Sequence, residues 1–448
     1  MGFPLIGETI QFLIPSKSLD TPRFIKKRIA RHGTLFRTNL AGQRIVVSSD
    51  PEFSYFILQQ EGKLVQIWYM DSFSTIIGGT SSARAAAHSY FHKYFRKLVA
   101  NHFSTEKVLK EKLLPEMEVM ANQSLQSWST QVSIELKEAI ASMVFNFASK
   151  LLFNYDSTKS SSNKNLNKML ANFIQGIMSF PLNIPGTAFH KCMKNQKGAV
   201  ELMKEIIRER LNSPEKRYPD LLDQLIDDMK KDDFLTEELV AFMMLMLLLA
   251  SFETISASLT VGLMLLTDQP LVVKELMEEQ EEIIKSRENV DPLLTWKEYR
   301  SMTLMPQVIN EMLRMSSVTP GILRKVMKDI HVNGYVIPEG WAIMVVPSAL
   351  QMDPDKFKDP LSFNPWRWKD LEPNTIAKSF IPFGGGARNC AGAEFSKVLM
   401  SVFMHVLVTK FRWKKLKGGE AARIPILSFG NGFHVKISKK SEINENTP

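Results

Sequence analysis

Cys390 is the residue of this sequence best placed to do chemistry. It follows three consecutive glycines in the run FIPFGGGARNCAGAE, and a predicted helix begins near residue 391. Glycine adopts backbone conformations that other residues resist, so the run predicts a tight turn. A thiol delivered to a helix N-terminus is stabilised as its anion by the helix dipole and by the free N–H groups. Such a thiolate serves either as a nucleophile or as a soft metal ligand.

Other uses of a glycine-rich turn fit this run less well. A phosphate-binding loop would need a Gly-Lys-Ser/Thr ending, and a dinucleotide-binding loop would need a glycine where Asn389 stands. A cysteine nucleophile needs a general base, and no local hydrolase signature accompanies the thiol. A buried structural cysteine does not account for the glycine turn, Phe383, Arg388 and Gly392 occurring together.

Haem ligation accounts for all of these residues. Phe383 can shield the sulfur, and Gly386 can let the backbone turn close to the porphyrin. Arg388 can pair with a propionate, and Gly392 can let the helix pass beside the ring. A thiolate ligand pushes electron density onto iron and favours cleavage of the O–O bond.

A single acidic residue interrupts the longest apolar segment. Thr236, followed by two glutamates, predicts a helix start, and the Asp-Gln-Pro sequence after Thr267 predicts its end. Between Leu239 and Thr267 the only charge is Glu253. A helix of this length, about 45 Å, fits either a transmembrane span or a core helix, and the soluble character of the flanking chain favours the core. In either setting Glu253 needs a partner or a task.

The remaining pattern predicts a helix-rich α+β fold. Residues 33–63 alternate as in a small sheet with a turn at Ala41-Gly42, and residues 84–315 are almost wholly helical in pattern. Short strand-like runs and an irregular Pro-rich stretch over 353–382 follow. The chain has no internal repeat and no long linker, so we expect a single domain over 1–448. Its 44% hydrophobic residues suffice for a large core.

Composition excludes several classes of protein. The two cysteines, Cys192 and Cys390, lie far apart, and no CxxC or HExxH motif supports a zinc site or a disulfide framework. A reducing compartment or a cytosol-facing surface fits best. The net charge of +9 is dispersed and does not indicate nucleic-acid binding. The N-terminus shows neither a signal peptide nor a run of about 20 apolar residues for an anchor.

The cysteine run resembles the haem-binding signature of the cytochrome P-450 family. Phe383-x-x-Gly386-x-Arg388-x-Cys390-x-Gly392 matches all five of its fixed positions. The resemblance covers essentially the whole chain. It implies a predominantly α-helical α+β fold, with a long central helix over the haem and small β-sheets. It also implies haem b as cofactor, with Cys390 as the axial thiolate and the metal ligand.

Two further motifs occur in the order that the family shows. Glu311-Met-Leu-Arg314 resembles the ExxR motif, and the two side chains share one helix face. Phe363-Asn-Pro-Trp-Arg367-Trp resembles the segment whose arginine joins that pair. The resemblance implies that these three charges brace the cysteine loop.

The long helix carries a third motif, Ala250-Ser-Phe-Glu253-Thr254. The resemblance implies that Glu253 and Thr254 are catalytic and relay protons to bound oxygen. The Thr254 hydroxyl can also bond back to a carbonyl one turn earlier. Two positions depart from the family pattern, because Ser251 replaces the usual glycine and Ile255 the usual Thr or Ser.

The same resemblance suggests further contacts to the haem and the substrate. His92 and Arg96, one helical turn apart, and Arg324 correspond to propionate-binding residues. By position, we expect an apolar substrate pocket formed by Trp68, Tyr69, Leu248, Phe252, Val318, Ile322 and Phe429.

Finer resemblance, in LTWKEYRSM, PGILRK and VNGYVIPEGW, is to the plant branch that acts on sterols, brassinosteroids and triterpenoids. It implies hydroxylation of such a lipophilic substrate with O2 and electrons that NADPH-cytochrome P-450 reductase supplies. NADPH would act only through that reductase. The implied location is a membrane surface at the cytosolic face of the endoplasmic reticulum, although this sequence shows no anchor.

Two alternatives stay open. The first is a haem-thiolate isomerase or hydroperoxide-rearranging enzyme, which needs no reductase, and the Glu253-Thr254 pair argues against it. The second is a haem-bearing, lipid-binding paralogue without enzymatic activity, which the departures at Ser251 and Ile255 leave possible.

Overall fold

The computed structural model describes residues 7–70, 75, 90–156, 166–177, 179, 182–213, 215, 217–287, 293–424 and 426–440. The helices are α1 Thr9–Leu13, α2 Arg23–His32, α3 Pro51–Leu58, α4 Tyr90–Phe103, α5 Glu106–Val108, α6 Leu114–Ser129, α7 Leu136–Phe153, α8 Leu166–Ile177, α9 Ala188–Asn212, α10 Leu221–Met229, α11 Glu237–Thr267, α12 Pro270–Lys285, α13 Trp296–Ser301, α14 Leu304–Ser316, α15 Pro347–Gln351, α16 Pro373–Ser379 and α17 Ala393–Lys410. A π-helical turn, Leu109–Leu113, precedes α6, and two 3-10 helices span Pro365–Lys369 and Gly386–Arg388.

The strands are short and lie near the two ends of the chain, apart from one in the middle. They are β1 Leu35–Leu40, β2 Gln43–Ser48, β3 Val65–Ile67, β4 Ile134–Glu135, β5 Ile322–Val326, β6 Ile330–Val332, β7 Tyr335–Ile337, β8 Ala342–Val345, β9 Phe411–Gly418, β10 Ala422–Ile424, β11 Ile426–Ser428 and β12 Phe433–Lys439. The predicted helix-rich α+β class is therefore confirmed.

The chain divides into two compact units. The first unit comprises Met1–Trp68, Val99–Ala139 and Ala257–Pro448, and the second comprises Tyr69–Leu98 and Ile140–Ser256. Every strand of the described residues belongs to the first unit. The expectation of a single domain over the whole chain stays a prediction.

The first hairpin forms as its sequence predicts. β1 and β2 pair antiparallel with Leu40 opposite Gln43, and the two residues between them, Ala41 and Gly42, both have positive φ values of 51° and 77°. A two-residue turn of this kind matches the right-handed twist of the strands.

The predicted sheet is wrong beyond the hairpin. Asp50 accepts a hydrogen bond from the Phe53 N–H and so starts α3 instead.

The main sheet of the first unit has the strand order β1-β2-β8-β5-β3. β2 and β8 run parallel, and the other neighbours are antiparallel. Val46, Ile57, Val65 and Ile343 pack in the buried cluster beside it. The sheet thereby fixes β5, which carries Arg324, against β3, where Arg324 lies opposite Ile67.

Two helices of the first unit form the support behind the cysteine run. Nearly every residue of α17 from Phe395 to Val408 is buried, and the helix packs against α6, α12 and α14. The N-terminus of α14 is capped from outside by Glu279. The carboxylate of Glu279 accepts from the N–H groups of Thr303, Leu304 and Met305 at 2.6 to 3.1 Å. A carboxylate there satisfies free N–H groups and opposes the positive helix end.

The long apolar helix runs as its sequence predicts. The Thr236 hydroxyl accepts from the Leu239 N–H at 3.2 Å, and α12 begins at Pro270 soon after α11 ends. By length and composition alone α11 could cross a membrane, and 56% of its most apolar window is buried within the protein.

Candidate functional site

A short hydrogen-bonded loop in the first unit presents the Cys390 side chain. The Cys390 N–H donates to the Phe383 carbonyl at 2.8 Å, and the Gly384 N–H donates to the Ile381 carbonyl at 3.0 Å. Cys390 is exposed and precedes the first residue of α17, Ala393, by three positions. The loop therefore offers one accessible thiol close to a helix N-terminus, where its anion is favoured.

Gly386 adopts the glycine-specific backbone that the run predicts, and it also lies against Leu58, a contact that the sequence did not reveal. Its φ is +64°, and a Cβ built there would lie 1.9 Å from the backbone oxygen of Leu58. Only glycine permits both this conformation and this approach. Gly392 differs, since its φ is −96° and a Cβ there would meet no protein atom within 4 Å. The predicted contacts of both glycines with a porphyrin stay predictions.

The structure brings Glu311, Arg314 and Arg367 together. The Arg314 guanidinium donates two hydrogen bonds to the Glu311 carboxylate at 2.7 and 2.9 Å, and Arg367 Nε donates a third at 3.1 Å. Glu311 and Arg314 have fully buried side chains. Burial lowers the pKa of Arg367, and the Glu311 charge opposes that effect. The Trp368 indole N–H also donates to Glu311, at 3.1 Å, a contact that sequence reasoning missed.

Gln351 links this ion cluster to the cysteine loop. Its amide group donates to the Arg314 carbonyl at 2.8 Å and to the Ser317 hydroxyl at 2.7 Å, and its oxygen accepts from the Ile381 N–H at 3.2 Å. Gln351 is fully buried. One amide thus joins the end of α14 to the first residues of the loop. Sequence reasoning missed it because nothing local marks a lone glutamine as a bridge.

Glu61 is a second residue that the sequence analysis missed. Its carboxylate lies 2.9 Å from Arg388 Nε and 3.1 Å from Arg324 Nε, and it accepts from the Ile67 N–H at 3.0 Å. It therefore brings together two arginines that the sequence assigns to haem propionates. No sequence motif marks Glu61, because its partners lie hundreds of residues away.

The chemistry of this loop fits a haem. Within the part of the chain that the structure describes, no group of three or more His, Cys, Asp or Glu side chains could hold a metal ion. A porphyrin supplies most of the iron ligands itself, so one accessible thiolate is sufficient. Arg324 and Arg388, with 4% and 11% exposed side chains, are suited to bind carboxylates. Cys390, Arg324 and Arg388 would hold the group.

In the second unit, Glu253 and Thr254 lie on α11. The Thr254 hydroxyl donates to the Ala250 carbonyl one turn earlier at 2.8 Å, as one sequence interpretation held. Ser251 likewise donates to the Leu248 carbonyl at 2.7 Å, and Ile255 is buried. Glu253 is half-buried, and its predicted catalytic role stays a prediction. Both hydroxyls are thus held by helix carbonyls, which orients them.

His92 and Arg96 both lie on α4, one turn apart, and both are half-buried. α4 packs through Tyr94, whose hydroxyl donates to Asp228 at 2.7 Å. Burial and this carboxylate raise the pKa of Tyr94. The propionate contacts predicted for His92 and Arg96 stay predictions.

The residues predicted to line the substrate pocket fall in both units. In the first unit, the Trp68 ring lies under Lys325, with 5.1 Å between Lys325 Nζ and the ring centroid. Ile322 packs against a buried cluster. Val318 is half-buried, and Phe429 is buried. In the second unit, Tyr69 is exposed and Leu248 is fully buried, while Phe252 packs edge-on against Phe145. The contacts of Phe252 and Ile322 give them packing roles, and their assignment to a pocket stays a prediction.

Comparison with known proteins agrees with the loop and the fold. The family model described as "Cytochrome P450" matches residues 2–440. A cyanobacterial member of known structure with bound retinoic acid, CYP120A1, superposes with a TM-score of 0.85, covers 98% of both chains and is 24% identical. A likeness at this identity shows the fold alone.

Curated plant proteins are more similar in sequence. Cucurbitadienol 11-hydroxylase of Siraitia grosvenorii is 47% identical over 98% of this chain and 92% of its own length. Beta-amyrin 16-alpha-hydroxylase of Maesa lanceolata is 43% identical over 99% and 92%, and a steroid (22S)-hydroxylase of Oryza sativa is 33% identical over 99% and 88%. The class that fold and loop define is that of haem-thiolate monooxygenases. The chain belongs to the cytochrome P-450 family.

Proposed function

We propose that this monooxygenase hydroxylates a sterol- or triterpenoid-like substrate. The observation that carries the proposal is the 47% identity, over almost the whole chain, to a hydroxylase of the tetracyclic triterpene cucurbitadienol. A relative named for the pentacyclic β-amyrin and another named for steroids support the same substrate class. The apolar side chains predicted for the pocket suit a rigid polycyclic hydrocarbon.

In this proposal each predicted site residue has a defined task. Cys390 would hold the haem iron through its thiolate, and the backbone hydrogen bonds of its loop hold Cys390 in place. Arg388, Arg324, His92 and Arg96 bind the propionates. The haem, when bound, supplies the activation of molecular oxygen. Thr254 and Glu253 would supply protons for that chemistry, and the Ala250 carbonyl holds the Thr254 hydroxyl in one orientation.

The partners follow from the family and the charge. Electrons come from NADPH through cytochrome P-450 reductase, and the enzyme works at the cytosolic face of the endoplasmic reticulum membrane. The net charge of +9 supports docking to an acidic protein surface or to anionic lipid.

The first test compares the reduced, carbon monoxide-bound spectrum of the wild type with that of Cys390→Ser. We expect a strongly red-shifted Soret band in the wild type that the variant loses. Cys192→Ser is the matched control. Cys192 is buried on α9, and burial raises its thiol pKa to about 11, so this substitution should leave the band unchanged. An unshifted band in well-folded wild type would refute thiolate ligation.

The second part of the test addresses the substrate class. Cucurbitadienol, β-amyrin and cholesterol are titrated into the ferric enzyme, and each is then incubated with NADPH, reductase and O2. We expect at least one of them to shift the Soret band of the ferric enzyme on titration. The same compound should yield a product heavier by one oxygen atom. A red-shifted carbon monoxide complex with no response to any of the three would overturn the substrate class alone.

A further inference from the structure

Glu61 is the common partner of two arginines that come from distant parts of the first unit. Arg324 lies on β5, and Arg388 ends the 3-10 turn before Cys390. Their Nε atoms lie 3.1 and 2.9 Å from the two oxygens of the Glu61 carboxylate. The side chains of Glu61, Arg324 and Arg388 are only 8%, 4% and 11% exposed. This arrangement is a buried ion cluster of two cations and one anion.

Backbone contacts also hold Glu61 and its carboxylate in place, independently of the two arginines. Glu61 forms an isolated β-bridge with Val65, and its Oε1 atom accepts from the Ile67 N–H at 3.0 Å. Ile67 is also the register partner of Arg324 across the β3–β5 pair. On the other side, the Leu58 carbonyl lies against Gly386, two residues before Arg388. The chain around Glu61 is thus held to the sheet and to the cysteine loop together.

We propose that Glu61 is a positioning residue that acts through Arg324 and Arg388 to keep the reduction potential of the bound haem low. The proposal rests on the proposed function, in which these two arginines bind the propionates. Reduction adds an electron to the iron, so a nearby buried negative charge disfavours it and a nearby positive charge favours it. Glu61 offsets one of the two guanidinium charges, and in a buried site that offset is weakly screened.

Removal of the charge has a predicted sign. In Glu61→Gln the amide keeps the size and can still accept hydrogen bonds, but two guanidinium charges remain without their carboxylate. The midpoint potential of the substrate-free haem should therefore shift to a more positive value, as measured by spectroelectrochemical titration. Glu61→Asp retains the charge, so its potential should stay close to that of the wild type.

A matched control removes the same formal charge at the surface. Glu52 pairs with Lys378, its side chain is 70% exposed, and solvent screens its charge. Glu52→Gln should leave the potential unchanged. A shift in Glu61→Gln no larger than that in Glu52→Gln would overturn the proposal.

Charge compensation separates electrostatics from a loss of structure. Arg324→Gln alone should lower the potential, and the double variant Glu61→Gln/Arg324→Gln should return towards the wild type because the net charge of the cluster is restored. If Glu61→Gln fails to retain haem, the double variant is compared with Arg324→Gln, and it should have the more positive potential. A double variant that equals or falls below Arg324→Gln would refute the role. Loss of the red-shifted carbon monoxide band in the wild type would instead refute the proposed function.

Discussion

At the scale of the residue, Glu311 gathers donors from several segments into one buried network. Besides Arg314 and Arg367, it accepts from the Trp368 indole and from the Asn364 N–H, at 3.1 and 3.0 Å. Five donors on one fully buried carboxylate form a network in which each partner is satisfied by the others. Such a cluster contributes little net stability as a whole, but loss of a single member leaves buried charges uncompensated.

We therefore expect Glu311→Gln to destabilise the protein by about 3–5 kcal/mol. The neutral amide cannot offset two buried guanidinium groups. Glu275→Gln is the matched control, since Glu275 also accepts an indole N–H, from Trp366 at 3.0 Å, but lies exposed. That change should cost less than about 1 kcal/mol. Urea unfolding of both variants measures the difference, and equal costs would contradict the buried-cluster argument.

At the scale of the element, the cysteine loop is held by its neighbours rather than by its own sequence alone. Gln351, at the end of α15, ties the loop to α14, while the Leu58 carbonyl, at the end of α3, lies against Gly386. The Ser104 hydroxyl donates to the Ala391 carbonyl at 2.7 Å just beyond the thiol. Three separate segments of the chain thereby fix the loop that carries Cys390, and a metal ligand needs such support to be placed precisely.

Gly386 and Gly392, the two glycines of the haem-binding signature, should respond differently to replacement by alanine. Gly386→Ala forces a positive φ on alanine and a backbone clash with Leu58, so we expect a loss of at least about 2 kcal/mol. Gly392→Ala meets no protein atom and should cost no more than about 1 kcal/mol. Thermal unfolding of both variants checks this difference.

The haem content of the same two variants tests the predicted contact between Gly392 and the porphyrin. If Gly392 lets α17 pass beside the porphyrin, Gly392→Ala will fold normally yet lose part of its red-shifted carbon monoxide band. Equal stability of the two alanine variants would show that the Leu58 contact does not restrict Gly386.

At the scale of the whole molecule, local signals in the sequence predicted the elements, and distant contacts escaped them. The turn at Ala41-Gly42 and the ends of α11 depend on residues close in sequence, and the structure places them as expected. The helix α3 was missed although Asp50 and the following proline are start signals, because the alternating pattern before them was extended too far. Glu61 could not be found, since its role arises only when the sheet brings Arg324 to it.

One buried base should make the stability of the whole molecule depend on pH. His405 lies on α17 with its Nδ1 2.8 Å from the Gln280 side-chain oxygen. Burial, and to a lesser degree Arg287 and Lys410, lower its pKa from 6.5 to about 4, while Glu298 opposes them. Because the folded-state pKa is the lower one, the unfolded chain binds a proton that the folded protein does not between these values. The contribution of His405 to stability is therefore fully present above pH 6.5 and is lost as the pH drops towards 4.

His405→Gln should flatten this dependence. The glutamine stays neutral at every pH, so the fall in unfolding free energy between pH 6.5 and 4 should be smaller than in the wild type, by at most about 3 kcal/mol. His331 is exposed on β6, and His331→Gln should keep the wild-type slope. Urea unfolding at several pH values gives the slope of unfolding free energy against pH for each variant. The slopes are compared, not the absolute stabilities. Parallel slopes in the wild type and His405→Gln would mean that His405 accepts its proton in the folded protein as readily as in the unfolded chain.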